Sequence, residues 1–261
     1  MSIDTFRIVC PDEDMVSSLK DLWKEAFGDG DEFVDSFFNT AYSPSRCRAV
    51  AEGNNALGAL YIFDCTVENK KMAYIYAVAT RKSARGKGIC TTLMRDTHEY
   101  LKKNGYFGAI LVPSQPSLFD FYKKVGYEIC SYISEFEATA SGISHALERL
   151  DKLEYAYRRQ ELLPTSGTAQ ENENLDFLAT YADFYAGDRI LLAAYKMGDK
   201  LFCVELLGDA SKAPDVLESL GCQKGFFRTP PKADIPARPF AMYCPIDKNS
   251  PKPQYFGLAF D

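Results

Sequence analysis

The residues best suited to chemistry lie in Val78-Ala-Thr-Arg-Lys-Ser-Ala-Arg-Gly-Lys-Gly-Ile-Cys90, where a glycine-bearing basic loop separates an apolar run from an amphipathic one. The first N–H groups of a helix lack internal acceptors and carry partial positive charge. Glycine lets a ligand come close to such a backbone. A strand, this loop and a helix in succession therefore predict an anion cradle of the kind that holds a pyrophosphate. The loop is no Walker A sequence, because Gly-x-x-x-x-Gly-Lys-Ser/Thr is absent, and no dinucleotide fingerprint, because Gly86 and Gly88 are its only glycines. Other chemistry has little material. Only His98 and His145 are present, which argues against a metal site or a histidine-driven triad. The eight cysteines form no Cys-x-x-Cys pair and read as reduced, mostly buried thiols of a cytoplasmic protein.

The elements that must position this loop follow from periodicity. Residues 5–10 alternate as a strand. Met15, Leu19, Leu22, Trp23, Ala26 and Phe27 make a helical stripe, capped by Asp12 or Asp14 and stopped at Gly28-Asp29-Gly30. A second short helix covers Phe33, Val34, Phe37, Phe38 and Ala41. Strands are expected at 46–52, 57–66 and 72–79, with turns at Asn54-Asn55 and Glu68-Asn69-Lys70-Lys71. The helix after the loop spans 89–103 and ends at Asn104-Gly105. A strand at 107–112, a helix from Ser117 to Lys124 and a strand at 127–136 complete an order β-α-α-β-β-β-α-β-α-β. That order implies a mixed α/β sheet with helices on both faces.

A small, polar stretch at 137–143 marks a boundary, giving domains at 1–137 and 144–261. The second part reads as helices at 144–161 and 172–185, a hairpin of strands at 189–196 and 201–207 around Met197-Gly198-Asp199, and a helix at 212–219. A proline-rich tail follows, with one strand-like run at 240–244 and an apolar end, Tyr255-Phe-Gly-Leu-Ala-Phe-Asp261. The net charge of −6 makes a nucleic-acid partner a poor expectation and a cationic small molecule a reasonable one. No apolar run is long enough to span a bilayer, and no leader is expected.

Arg85-Gly86-Lys87-Gly88-Ile89-Cys90 resembles motif A of the GNAT acetyltransferases, Gln/Arg-x-x-Gly-x-Gly/Ala, with Cys90 departing at the last position. Phe121-Tyr122-Lys123-Lys124-Val125-Gly126-Tyr127 resembles their motif B, Phe-Tyr-x-x-x-Gly-Phe/Tyr, at a suitable distance. The resemblance covers about 3–136 and implies an acyl-CoA N-acyltransferase fold, followed by a second, degenerate GNAT-like half. It implies acetyl-CoA as acyl donor, its pantetheine in a splay between the strands ending at Ala79 and near Val112 and paired with Val78, Ala79 and Thr80. The pyrophosphate would lie on the N–H groups of Arg85, Gly86, Lys87, Gly88, Ile89, Cys90 and Thr91, with Arg81, Arg85 and Lys87 near the phosphates. Tyr122 maps onto the family's general acid, and a phenol near pKa 10 suits a thiolate leaving group near 8.5.

The general base is less defined. The strand at 72–79 has no carboxylate, which leaves Tyr74 and Tyr76 with a water relay, or Asp64 on the neighbouring strand. The 77–88 and 113–127 segments also resemble the enhanced-intracellular-survival type of aminoglycoside acetyltransferase, whose chain terminus reaches the active site. That likeness implies Asp261, or the carboxylate at its end, as the group that orients the amine. The acceptor expected is a primary amine of a small molecule, walled in by the second half, where Tyr181, Phe184 and Tyr185 are available to face it. Gly208-Asp-Ala-Ser-Lys-Ala-Pro214 carries no basic cluster, so no second donor site is expected. The alternative is a catalytically inactive acyl-CoA-binding or regulatory module.

Overall fold

The computed structural model describes residues 6–260. In the first part of the chain, β1 (Arg7–Val9) leads into α1 (Val16–Phe27) and α2 (Asp31–Thr40). Then come β2 (Cys47–Glu52), β3 (Asn55–Val67), β4 (Lys70–Thr80), α3 (Ile89–Lys103), β5 (Gly108–Leu111), α4 (Leu118–Lys124), β6 (Glu128–Ile129) and β7 (Tyr132–Thr139). The rest comprises β8 (Glu148–Leu150), α5 (Lys152–Leu162), β9 (Ala169–Gln170), α6 (Glu173–Leu178), β10 (Asp183–Gly187), β11 (Ile190–Met197) and β12 (Lys200–Gly208). It closes with α7 (Ala213–Ser219), β13 (Lys224–Thr229), β14 (Ala237–Pro239) and β15 (Met242–Pro245).

Among the described residues these strands form two mixed sheets. The first runs β1-β2-β3-β4-β5-β15-β6, with β9 added to β3. The second runs β14-β7-β13-β12-β11-β10-β8. Each has one parallel pair at its centre, β4 with β5 and β12 with β13. The helix stripes bury as their periodicity requires, except Phe27 at the end of the α1 stripe, which stays exposed. Leu93, Met94 and Leu101 of α3 pack with Ile75, Leu111 and Tyr122 on one face of the first sheet. Trp23 and Phe37, from α1 and α2, pack on the other face, in a core that continues into the second half through Tyr155, Phe177 and Leu207. Trp23 is fully buried, and its Nε1 donates to Asp29 Oδ2 at 2.7 Å, which satisfies its one polar atom.

Several expectations change in the structure. The single strand expected at 127–136 divides into β6 and β7, which belong to different sheets. At the break the N–H groups of Cys130 and Ser131 both donate to Ala241 O, at 3.0 and 3.3 Å. Conversely, β15 leaves the second half and inserts between β5 and β6, pairing Met242 with Leu111. The two sheets therefore exchange strands, and the polar stretch at 137–143 divides the sequence without dividing the sheets. The helix expected at 144–161 begins only at Lys152, after strand β8, where Asp151 and Glu154 form a reciprocal capping box. The helix expected at 172–185 stops at Leu178, because Phe184 and Ala186 alternate inward as part of β10. Asp12 and Ser117 stand at the starts of their elements, and neither side chain makes a capping bond.

Candidate active site

The loop at the end of β4 has the cradle's backbone geometry. Gly86 and Gly88 adopt left-handed φ of 75° and 76°. A side chain there would be strained, though nothing lies within 4 Å of either would-be Cβ. Gly88 caps the start of α3. The first bond back into that helix runs from Thr92 N–H to Gly88 O at 3.0 Å, so the N–H groups of Ile89, Cys90 and Thr91 precede the ladder. Arg85, Gly86, Lys87 and Gly88 are exposed around them. Gly58 on β3 completes the floor. Its missing side chain lets Ile89 Cγ2 approach to 3.1 Å of where a Cβ would stand.

Next to this loop the first sheet opens. Strand β4 runs to Thr80 but pairs with β5 only from Met72 to Tyr74, opposite Gly108 to Ile110. Beyond Tyr74 the edge of β4 facing β5 has no strand partner among the described residues. One extra residue enters β4 where the register with β3 slips between Ala59 and Tyr61, and Ala77 takes a φ of 46°. This bulge turns the half-buried Ala77 and Val78 at the open edge. The result is a V-shaped fork with free backbone donors and acceptors on one arm and the glycine loop at that arm's tip. An extended amide chain fits such an edge as an added strand does, and its anionic end would meet the cradle.

Tyr122 projects from α4 on the α3 side of the fork, against Phe121 and Tyr127 at ring separations of 5.2 and 5.9 Å. It is buried, and its hydroxyl has no hydrogen-bond partner among the described residues. Burial pushes its phenol above the ordinary range, and the Cys90 thiol adds to the shift. Cys90 itself is pushed up to about 11 by burial, partly offset by a hydrogen bond with Thr80. Both groups therefore hold their protons at neutral pH.

On the opposite face of the fork lie Phe256 and Phe260. Phe260 packs on Phe63, Tyr74 and Tyr76 at centroid distances of 5.0, 5.7 and 5.5 Å. Phe256 lies 4.7 Å from Tyr74, and Phe177 of α6 closes on Phe260 at 5.3 Å. Asp261 lies outside the described residues. Tyr74 is the last residue of β4 that pairs with β5, so Phe260 packs where the sheet divides.

Comparison with known proteins bears on this geometry. A family model described as an acetyltransferase (GNAT) domain matches residues 10–130, the segment that holds the fork, the glycine loop and Tyr122. Residues 10–130 are a GNAT acetyltransferase domain. No curated protein sequence matches the chain significantly. Solved structures share its fold over almost its full length. A GCN5-related N-acetyltransferase from Kribbella flavida is 18% identical, with 94% of this chain and 73% of that chain covered and a TM-score of 0.70. A putative acetyltransferase from Pyrococcus horikoshii is 16% identical, covers 99% and 95%, and scores 0.67. Eis1 from Mycobacterium abscessus is 11% identical, covers 92% and 74%, and scores 0.65. The chain thus carries a GNAT acetyltransferase domain within a fold of two α/β halves.

Within the GNAT domain some predicted residues take other work. Arg81 is a structural tie rather than a phosphate ligand. Its Nε donates to Ala56 O at 2.8 Å, Nη1 to Glu25 Oε2 at 3.1 Å, and Nη2 to Ser18 O at 3.2 Å. Glu25 also accepts from Lys82 N at 2.6 Å, so α1 braces the loop from beneath. Asp64 lies away from the open arm, opposite Ala73, where it accepts from Tyr106 and faces Lys71 Nζ at 3.4 Å. Tyr74 and Tyr76 face the tail, on the side away from Tyr122. In the second half Tyr181 packs on Phe33 and Phe177 beside this aromatic group, whereas Phe184 stacks on Tyr155 at 4.4 Å. Tyr185 points to the other side of its strand and donates to Asp183.

A feature missed in sequence is the fully buried Glu205. Its Oε2 accepts from Arg159 Nε at 2.6 Å and Tyr155 OH at 3.0 Å. Its Oε1 accepts from Arg159 Nη2 at 2.9 Å and Tyr255 OH at 3.0 Å. Burial opposes the charge on Arg159, and Glu205 more than restores it. The one signal available was a lone glutamate in the apolar run of β12.

Proposed function

We propose that this chain moves an acetyl group from acetyl-CoA to a primary amine of a small molecule by direct attack. The observation that carries the reading is the fork. Its open β4 edge offers pairing to pantetheine through Val78, Ala79 and Thr80. The N–H groups of 85–91 follow at the strand's tip for the pyrophosphate, with Arg85 and Lys87 exposed beside it. The thioester then lies at the fork, between Tyr122 on one side and the tail on the other.

The neutral amine attacks the thioester carbonyl, the carbon–sulfur bond breaks, and Tyr122 gives its proton to the leaving thiolate. The phenol is restored by the proton that the new amide nitrogen sheds. A raised phenol pKa keeps Tyr122 protonated for this step, though it makes the phenolate costlier, so proton transfer is concerted with C–S cleavage. Asp261, one residue beyond Phe260, is assigned to orient the amine. The second half walls the acceptor side, and the reaction is placed in the cytoplasm.

The test is turnover of acetyl-CoA over a library of small amines, with products read by mass spectrometry. Acetylated product from the wild type, lost on deleting 259–261 while acetyl-CoA affinity stays within twofold, supports the reading. Full activity in the deletion removes the role of Asp261. Tight acetyl-CoA binding with no acetylated product from any amine points instead to an acyl-CoA-binding module.

A further inference from the structure

We infer that the buried Glu205–Arg159 pair is a positioning device, which holds the tail of the chain so that Phe260 seats at the fork of the GNAT domain. The inference rests on the functional reading only in giving that seat a use in acceptor binding. The second sheet has a fork of its own. Strands β12 and β13 pair from Lys200 with Lys224 to Cys203 with Phe227 and then part. Glu205 stands just past that division. The place that takes the acyl donor in the first half is here filled by the protein itself, with Tyr155, Arg159 and Tyr255 converging on one carboxylate. The end of β12 is closed as well: a Cβ on Gly208 would meet the Arg189 carbonyl carbon at 3.0 Å. No ligand can approach that backbone as one can at Gly88.

The tail is held at successive residues around this carboxylate. Gln254 N donates to Ser166 O at 3.0 Å, and Thr168 N donates to Tyr255 O at 2.8 Å. Phe256 N donates to Ser131 Oγ at 3.0 Å, at the crossing point between the two sheets. Gln170 grips Leu258 on both sides, donating to its carbonyl at 2.6 Å and accepting from its N–H at 3.3 Å. Arg159 Nη1 donates to Thr168 O at 3.0 Å, which ties the clamp's base to the strand that receives the tail. Gly257 lies directly on the carboxylate, where a Cβ would stand 2.7 Å from Glu205 Cδ and overlap its Oε1. Three residues reach at most about 10 Å when extended. Fixing Gly257 therefore confines Phe260 to the neighbourhood of Tyr74 and Tyr76. A buried ion pair adds little stability over apolar packing, and one role for keeping it is to select a single arrangement. Here the arrangement selected is the path of the tail.

The decisive variant is Gly257→Ala. Gly257 has no positive φ, so the added methyl acts through its overlap with the clamp itself, Glu205 and the Tyr255 hydroxyl. Glu205→Gln, which keeps the size and removes the charge, is the second variant. Hydrogen exchange of the full chain is read by mass spectrometry, beside steady-state kinetics with acetyl-CoA and the best amine of the library. Amides of 256–260 should exchange at least tenfold faster in either variant, while those of α3 and β4 and the acetyl-CoA Kd remain within twofold. The amine kcat/KM should fall tenfold or more with the acetyl-CoA KM unchanged, a split that general destabilisation would not produce. Unchanged exchange of 256–260 in both variants overturns the clamp. A freed tail with wild-type amine kinetics overturns its positioning role. A wild type that acetylates no amine overturns the functional reading and the acceptor half of the inference, and the exchange pattern then decides the clamp alone.

Discussion

Gly88 is the residue at which the donor site can be tested most cleanly. It holds a φ of 76° at the start of α3, with open space where its side chain would be. Any other residue there costs about 1–2 kcal/mol of backbone strain. Both Gly88→Ala and Gly88→Glu carry that strain, so both should lose a similar few degrees of Tm. They differ in what they place over the N–H groups of 89–91. Hydrogen bonds from a backbone N–H to a charged phosphate are worth about 1.5–3 kcal/mol each. A glutamate that displaces the pyrophosphate from two of them forfeits about 3–6 kcal/mol, or about two to four decades in Kd. Gly88→Ala should lose about tenfold at most. The assay is calorimetric titration of acetyl-CoA into wild type and both variants, with thermal melts alongside. If Gly88→Glu binds within a few-fold of Gly88→Ala, the loop is not the pyrophosphate cradle, and the argument from the open helix start fails.

Three further outcomes are expected. Tyr122→Phe should bind acetyl-CoA as the wild type does and lose about 10²–10⁴ in kcat, the usual worth of a general acid; an unchanged kcat in single-turnover assays would remove Tyr122 from the chemistry. Burial raises the phenols of Tyr61, Tyr122, Tyr127, Tyr155 and Tyr255, so above their ordinary pKa near 10 the unfolded chain loses protons that the folded chain keeps. Stability present below pH 10 should therefore be lost above it, by about 1.4 kcal/mol per pH unit for each such tyrosine; urea midpoints that stay constant from pH 8 to 11 would contradict this. Arg159→Met strands the charge of Glu205 in the core and should cost about 3–5 kcal/mol, most of it recovered in Arg159→Met/Glu205→Leu, as measured by urea unfolding.

Much of the GNAT domain was legible from local pattern. The strand, glycine loop and helix from Met72 to Lys103 are consecutive, so their periodicity and the glycine spacing were enough to place the glycine loop at a helix start. Tyr122 came from a motif whose helix is also local. The overturned elements lie where a distant partner decides. Residues 183–187 could extend a helix by composition, but β11 is present to pair with them, and the inward alternation of Phe184 and Ala186 answers to that sheet. Arg81 looked like one more basic residue of the loop. Only the folded chain brings Glu25, Ser18 and Ala56 under it, which turns a candidate phosphate ligand into a brace.

Sequence alone determined where a helix start preceded by glycines would lie, because that is a short-range property of the backbone. The tertiary structure decided what surrounds them. The crossing of β7 and β15 between sheets, the fork left where β4 outruns β5, and the seating of Phe260 on Tyr74 and Tyr76 all join residues far apart in the chain. So does the convergence of Tyr155, Arg159 and Tyr255 on Glu205. Such contacts form only when the apolar faces of two halves are buried together, and no periodicity in a single segment encodes which partner each face will find.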